Sequence, residues 1–307
     1  MTTLARTLVL VSLGLAPLAG CHDEPHAAEG RAGGRLVVYT DQYPLEYIAE
    51  RIGGDHVEVH FPMTEDGDPA FWNPGDDVVR RYQEADLVLR NGAGYAAWID
   101  KVTLAPSKVV DCSKGFAADL IVIKNAVTHQ HGPEGKHSHS GTAFTTWLDP
   151  SQAITMAEAV HAAILARRPE ARADLDRGLE GLRRDLAGLE ARLVAAVQQA
   201  PDRPLLASHP VYQYLARRLG LHLESVHWEP GEVPSEEEWS RFEALLGRHP
   251  AKGMLWEDTP LPVVAERLRG LGVTPEVYDP CARKPATGDF MTRMQADAAA
   301  LERLYRP

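Results

Sequence analysis

Four of the chain's thirteen histidines, His129, His131, His137 and His139, fall inside "THQHGPEGKHSHSG" at 128–141. Imidazole nitrogen is the commonest side-chain donor to zinc and similar borderline cations, so such a run is first a question of metal chemistry. Each pair is spaced i, i+2, which in an extended segment points both rings to one side. Gly132, Pro133 and Gly135 lie between the pairs and permit a tight reversal that brings them together. Two more residues stand out because each follows a strand: His209 in "SHP" and Asp279 in "YDP". An imidazole and a carboxylate facing one cleft suit zinc or manganese, which accept mixed nitrogen and oxygen ligands. Glu257 in "LWEDTP" and Asp68 in "DGDP" are secondary candidates, Glu257 either as ligand or as the acceptor that orients an imidazole. His227 and Glu229 in "VHWEPGE" lie on a cleft-side loop, where a surface role is expected of them. Trp72, Trp147 and Trp256 read as packing of the cleft wall, and His161, on a helix, as structural or solvated.

The elements that must position these residues follow from periodicity. "RLVVYT", "HVEVHFPM", "DLVLRNG" and "SKVVDCS" read as four strands separated by helical segments. The second of those segments, "NPGDDVVRRYQEA", opens as a helix with Asn73 as cap and Pro74 at its first position; the third, "YAAWIDKV", is short. "LIVIKNAV" reads as a last strand region ahead of the histidine loop. "DPSQAITMAEAVHAAILARRP" is an amphipathic helix with an Asp-Pro start. Some thirty residues with Leu every three or four positions then form one long helix of ~45 Å. After it, "PLLASHPVYQYLARRLG" repeats the opening logic. The strands "LHLESVHW", "AKGMLWEDTP" and "PEVYDP", with their helices and a closing helix "FMTRMQADAAALERLY", build a second unit of the same kind. The fold class is therefore α/β: two lobes with parallel four-stranded sheets joined by one long helix. Ligands of such sheets bind beyond the carboxyl ends of the strands, which here means the cleft between the lobes.

The N-terminus fixes the compartment. Arg6, an apolar run and the ending "LAGC" resemble a lipoprotein export signal in which Cys21 becomes the lipidated first residue. Residues 1–20 are thus a signal peptide and 21–34 a polar, Gly- and Ala-rich tether. The N-terminal lobe spans 35–168 with the histidine loop, the linking helix 169–200, and the C-terminal lobe 201–307. Loss of Arg6 with the signal moves the formal charge from −11 to −12. That balance excludes nucleic acid, whose binding needs basic surface, and is compatible with cations. Cys112 and Cys281 remain after Cys21; a disulfide, two buried thiols and soft metal ligands all fit an exported protein.

The order of features resembles a known family, the solute-receptor lipoproteins of zinc and manganese ABC transporters with the TroA-like fold. "VVYTDQYPLEYIAERIGG", "ADLVLRNGAGYAAWIDKV", "TWLDP", the long helix, "SHPVYQYLARRLGL", "VPSEEEW" and "EVYDP" carry the resemblance across nearly the whole mature chain. It implies metal held between two lobes that move modestly on binding, and one ligand from each of four loops. The third and fourth of those positions fall on His209 and Asp279. The first falls on Ala70 and the second on Thr145, and neither supplies an imidazole's nitrogen. Two readings remain. Either the histidine loop, ending just before residue 145, folds into the cleft and replaces the missing nitrogens, or it is a mobile, low-affinity collector. The favoured ligand set is His129, His131, His137, His139, His209 and Asp279, for Zn2+, with Mn2+, Cu2+ or Fe2+ as alternatives.

These readings make the protein a monomeric periplasmic receptor, lipid-anchored through Cys21, that delivers a divalent transition metal to an ABC permease. A metal-binding adhesin or periplasmic metallochaperone is the alternative. Nothing resembles HExxH, a GxSxG elbow or a Gly-rich phosphate loop, so no enzyme is expected. A hydrolase using Glu257 as base is the remote reading.

Overall fold

The computed structural model describes residues 34–63, 67–123 and 141–306, and the backbone of 128–130 and 136–138. The signal peptide, Cys21, the tether up to residue 33, His131 and His139 lie outside the described residues, as do the side chains of His129 and His137.

The first lobe opens with β1 (Leu36–Thr40), α1 (Tyr43–Gly53), β2 (Val57–His60), α2 (Asp76–Glu84), β3 (Leu87–Arg90) and β4 (Val109–Asp111). Its sheet is fully parallel in the order β2-β1-β3-β4. Leu36, Val38, Leu87, Val88 and Leu89 are buried, as expected of parallel strands covered on both faces. Two sequence expectations shift here. Asn73 does not cap α2; its amide donates to the Phe71 carbonyl, and Gly75 at φ −69° and ψ 165° is the N-cap instead. "YAAWIDKV" yields only a 3-10 turn at Ile99–Lys101.

The described part of the strand region "LIVIKNAV", up to Ile123, stays out of the sheet. Its β5 (Val122–Ile123) begins a hairpin, followed by β6 (Thr128–Gln130), β7 (Lys136–Ser138) and β8 (Gly141–Thr142). β5 pairs antiparallel with β8, and β6 antiparallel with β7, with His129 directly opposite His137. Gly132, Pro133 and Gly135, at which a tight reversal is expected, lie outside the described residues.

α3 (Pro150–Leu165) starts where Asp149 accepts the Ser151 N–H at 2.9 Å. α4 (Arg172–Val197) is the long helix: 26 residues, about 39 Å. Its Leu175, Leu179, Leu182, Leu186, Leu189 and Leu193 are all buried, forming a stripe at alternating four- and three-residue steps. That stripe rests on α1 and α3 of the first lobe and on the last helix of the second.

The second lobe repeats the plan with β9 (Pro204–Ala207), α5 (Gln213–Leu219), β10 (His222–Ser225), α6 (Glu236–Arg248), β11 (Gly253–Trp256), α7 (Pro262–Gly270), β12 (Thr274–Val277) and α8 (Phe290–Tyr305). Its parallel order β10-β9-β11-β12 matches the first sheet strand for strand. A capping box closes the start of α6, where Ser235 and Glu238 bond reciprocally. No described helix is long and apolar enough to cross a membrane.

Candidate metal centre

In each sheet the strand order reverses beside the first strand, so the third strand lies on the side away from the second. Ligands gather at that switch point, beyond the carboxyl ends. In the second lobe the switch point lies between β9 and β11, and His209 follows β9 while Glu257 is the residue after β11. Glu229 comes from the loop after β10 and Asp279 from the loop after β12. All four strands thus send a candidate donor to one cleft of about 1190 Å³, whose opposite wall carries Asp68 and Thr145 of the first lobe.

His209 is 7% exposed, so its ring is held rather than solvated. Its Nδ1 stands 3.4 Å from Glu229 Oε1 and 3.9 Å from Glu257 Oε1. Acidic side chains on that side favour the proton on Nδ1. His227 packs edge-on against the His209 ring at 5.6 Å between centroids. Burial raises Glu257 well above the usual carboxylate range, and the charges of Asp68, Glu229 and Asp279 raise it further. Asp279 is raised too, chiefly by burial, with the Cys281 N–H and Arg293 pulling it back. Burial thus makes these carboxyls hold their protons more tightly than exposed ones, and an incoming cation opposes that shift. Among the described residues no three of His, Cys, Asp and Glu stand close enough together to hold a metal ion.

The two positions at which the resemblance lacks an imidazole are packed. Ala70 is buried in the first lobe's core, its N–H donating to Asp68 Oδ1 at 2.8 Å. Thr145 is buried as well, and its hydroxyl donates to the Val211 carbonyl, two residues beyond His209. The base of the hairpin is fixed nearby: Tyr214 Oη of α5 donates to the Ala143 carbonyl at 2.8 Å and accepts the Ile121 N–H at 3.2 Å.

Several expectations change. His227 and Glu229 are half-buried rather than fully exposed; Glu229 lines the cleft, and Trp228 between them is buried. Of the three tryptophans, Trp147 lines the cleft and donates to the Pro280 carbonyl at 2.7 Å, whereas Trp256 is buried in the second lobe's core. Trp72 packs edge-on against Trp98 and Phe61. His161 pairs with Asp176 at 2.8 Å, a structural contact. Cys112 and Cys281 are free, buried thiols.

The profile of a family described as the periplasmic component A of zinc-uptake complexes matches residues 38–304. The chain belongs to this ZnuA family. It is 22% identical to the zinc-binding lipoprotein AdcA of Streptococcus pneumoniae over 282 residues, covering 89% of this chain and 54% of AdcA. The chain therefore spans about half the length of the AdcA proteins it matches. It is 24% identical to the metal ABC transporter substrate-binding lipoprotein FimA of Streptococcus parasanguinis, over 78% of this chain and 74% of FimA. Among solved structures, the metal-dependent lipoprotein YcdH of Bacillus subtilis superposes with a TM-score of 0.74 at 19% identity, over 88% of this chain and 99% of YcdH. The fold of two parallel four-stranded lobes and one long helix is thus like that of YcdH.

Proposed function

We propose that this chain captures a divalent transition metal, zinc first, in the cleft between its lobes and passes it to an ABC permease. The observation that carries this reading is the convergence of His209, Glu229, Glu257 and Asp279 from the ends of four neighbouring strands on one cleft. Family membership and the zinc- and metal-binding relatives support it. As a binding receptor the chain needs no catalytic step. It works outside the cytoplasm, monomeric, anchored by lipid on Cys21, as befits a relative of named lipoproteins.

His209 and Asp279 are the ligands from the second lobe. His129, His131, His137 and His139 of the hairpin replace the donors lacking at Ala70 and Thr145. The direct opposition of His129 and His137, and a hairpin base fixed beside His209, support that assignment. Imidazoles must lose their protons to bind, so affinity falls below about pH 6.5.

Chelator-competition titration with zinc tests the reading. The wild type binds one ion per chain, and His209→Ala weakens it by more than the ~10–100-fold typical of an outer-shell partner. His137→Ala with His139→Ala weakens it comparably. Full affinity in that double variant leaves the hairpin only a collector's role, and no binding by the wild type ends the capture reading.

A further inference from the structure

Behind the cleft wall, α8 buries a carboxylate. Asp297 is 0% exposed, and its Oδ1 accepts both the Asp279 N–H at 3.2 Å and Arg293 Nη2 at 2.5 Å. Its Oδ2 is buried and meets no hydrogen-bond partner among the described residues. A half-satisfied buried carboxylate is a poor way to stabilise a core, and an apolar side chain of similar volume is often as good or better. What the group does contribute is a fixed acceptor for the backbone of Asp279, near the start of the loop after β12. The rest of that loop is held just as closely. Cys281 donates its N–H to Asp279 Oδ1 at 2.7 Å, while Trp147 and the Tyr43 N–H bond the carbonyls of Pro280 and Ala282 from the first lobe. Cys281 itself sits at φ 58°, a left-handed conformation that a residue with a Cβ adopts only when its surroundings impose it. Arg293 reaches Asp297 and also lines the cleft, so the buried pair lies directly behind the ligand loop.

We propose that Asp297, held by Arg293, is the positioning residue for Asp279: it fixes the loop's backbone so that the remaining Asp279 oxygen faces the metal. The inference rests on the reading of Asp279 as a ligand. It makes the C-terminal helix part of the metal site although no residue of that helix touches the ion.

Three variants test it in the full chain: Asp297→Asn, Asp297→Leu, and Asp297→Leu combined with Arg293→Met, which removes the whole pair and leaves no lone buried charge. Zinc affinity is read by chelator competition, folding by thermal melting, and ligand geometry by the visible bands of the cobalt(II) form at saturation. Asp297→Asn keeps the acceptor and stays within a few-fold of wild type. The leucine variants lose about 10–100-fold in affinity, the range for a partner that orients a ligand, and their cobalt bands shift. A merely destabilised fold lowers occupancy without moving those bands. Wild-type affinity and unshifted bands in the folded double variant overturn the inference. So does an asparagine variant that falls as far as the leucine one. With wild-type and His209→Ala controls alongside, these outcomes differ from a wild type that binds no zinc, which overturns the capture reading and this inference together.

Discussion

A single carboxyl, Asp41, shows how far burial governs the ionisable residues of this chain. It follows β1, is 1% exposed, and both its oxygens face the Asn91 N–H at 2.9–3.0 Å. Burial raises it to about 8, outweighing the lowering effects of that N–H and of Arg90. An acid raised in the folded state keeps its proton where the unfolded chain has lost it. Its contribution is complete below about pH 4, the unfolded value, and is lost as pH climbs towards 8. Thermal melts should therefore decline across that window, by at most ~1.4 kcal/mol per pH unit for one proton. Asp41→Asn, the neutral isostere, should flatten the decline; an unchanged slope would assign it to other groups. At the same scale, His209 and Asp279 were legible in the sequence because each directly follows a run that reads as a strand. Glu229 was not. "VHWEPGE" reads as a loop beside the cleft but with a surface role, and its side-chain direction leaves no periodic trace; Trp228 beside Glu229 is buried.

The elements were legible wherever a face is buried. Parallel strands read as apolar runs, and the leucine stripe of α4 marks one helix. Boundaries set by side-chain competition were not legible. Asn73 engages the Phe71 carbonyl, so α2 begins at Asp76 rather than at Pro74. Nor does the sequence reveal that β5 prefers β8 to the sheet, since a two-residue ladder leaves no periodic trace. The same long helix offers a test in which packing and propensity oppose each other. A Cβ on Gly178 would lie 2.7 Å from the Arg51 carbonyl oxygen and 2.8 Å from Ile52 Cα, whereas one on Gly188 meets nothing within 4 Å. Alanine gains up to about 1 kcal/mol in helix propensity at either site. At Gly178 the obstacle is backbone, which yields little, and overpacking costs about 1–3 kcal/mol. Gly178→Ala should lower the melting temperature and Gly188→Ala raise it. A stabilised Gly178→Ala would mean that α1 and α4 separate easily.

Across the whole molecule, the lobes are tied beside the cleft as well as through α4. Trp147 to Pro280, Tyr43 to Ala282 and Tyr214 to Ala143 each cross from one lobe to the other. Ligand that binds only the folded chain stabilises it by mass action, about 2.7 kcal/mol at a hundred times Kd. Zinc should accordingly raise the melting temperature of the wild type, a chelator should reverse the rise, and His209→Ala should abolish most of it. A rise that survives in His209→Ala would place the bound zinc elsewhere. The Tyr214 hydroxyl has a more particular consequence. The hairpin is continuous in sequence with the first lobe, yet its base is fastened to a helix of the second, the lobe that carries His209 and Asp279. Under the proposed ligand assignment, that fastening sets the effective molarity of the hairpin imidazoles, because a stem pinned near His209 keeps its donors in a small volume. Tyr214→Phe deletes both bonds and leaves the histidines themselves untouched. Their intrinsic affinity for zinc should persist in the hairpin as a free peptide, while capture by the whole chain weakens for want of local concentration alone.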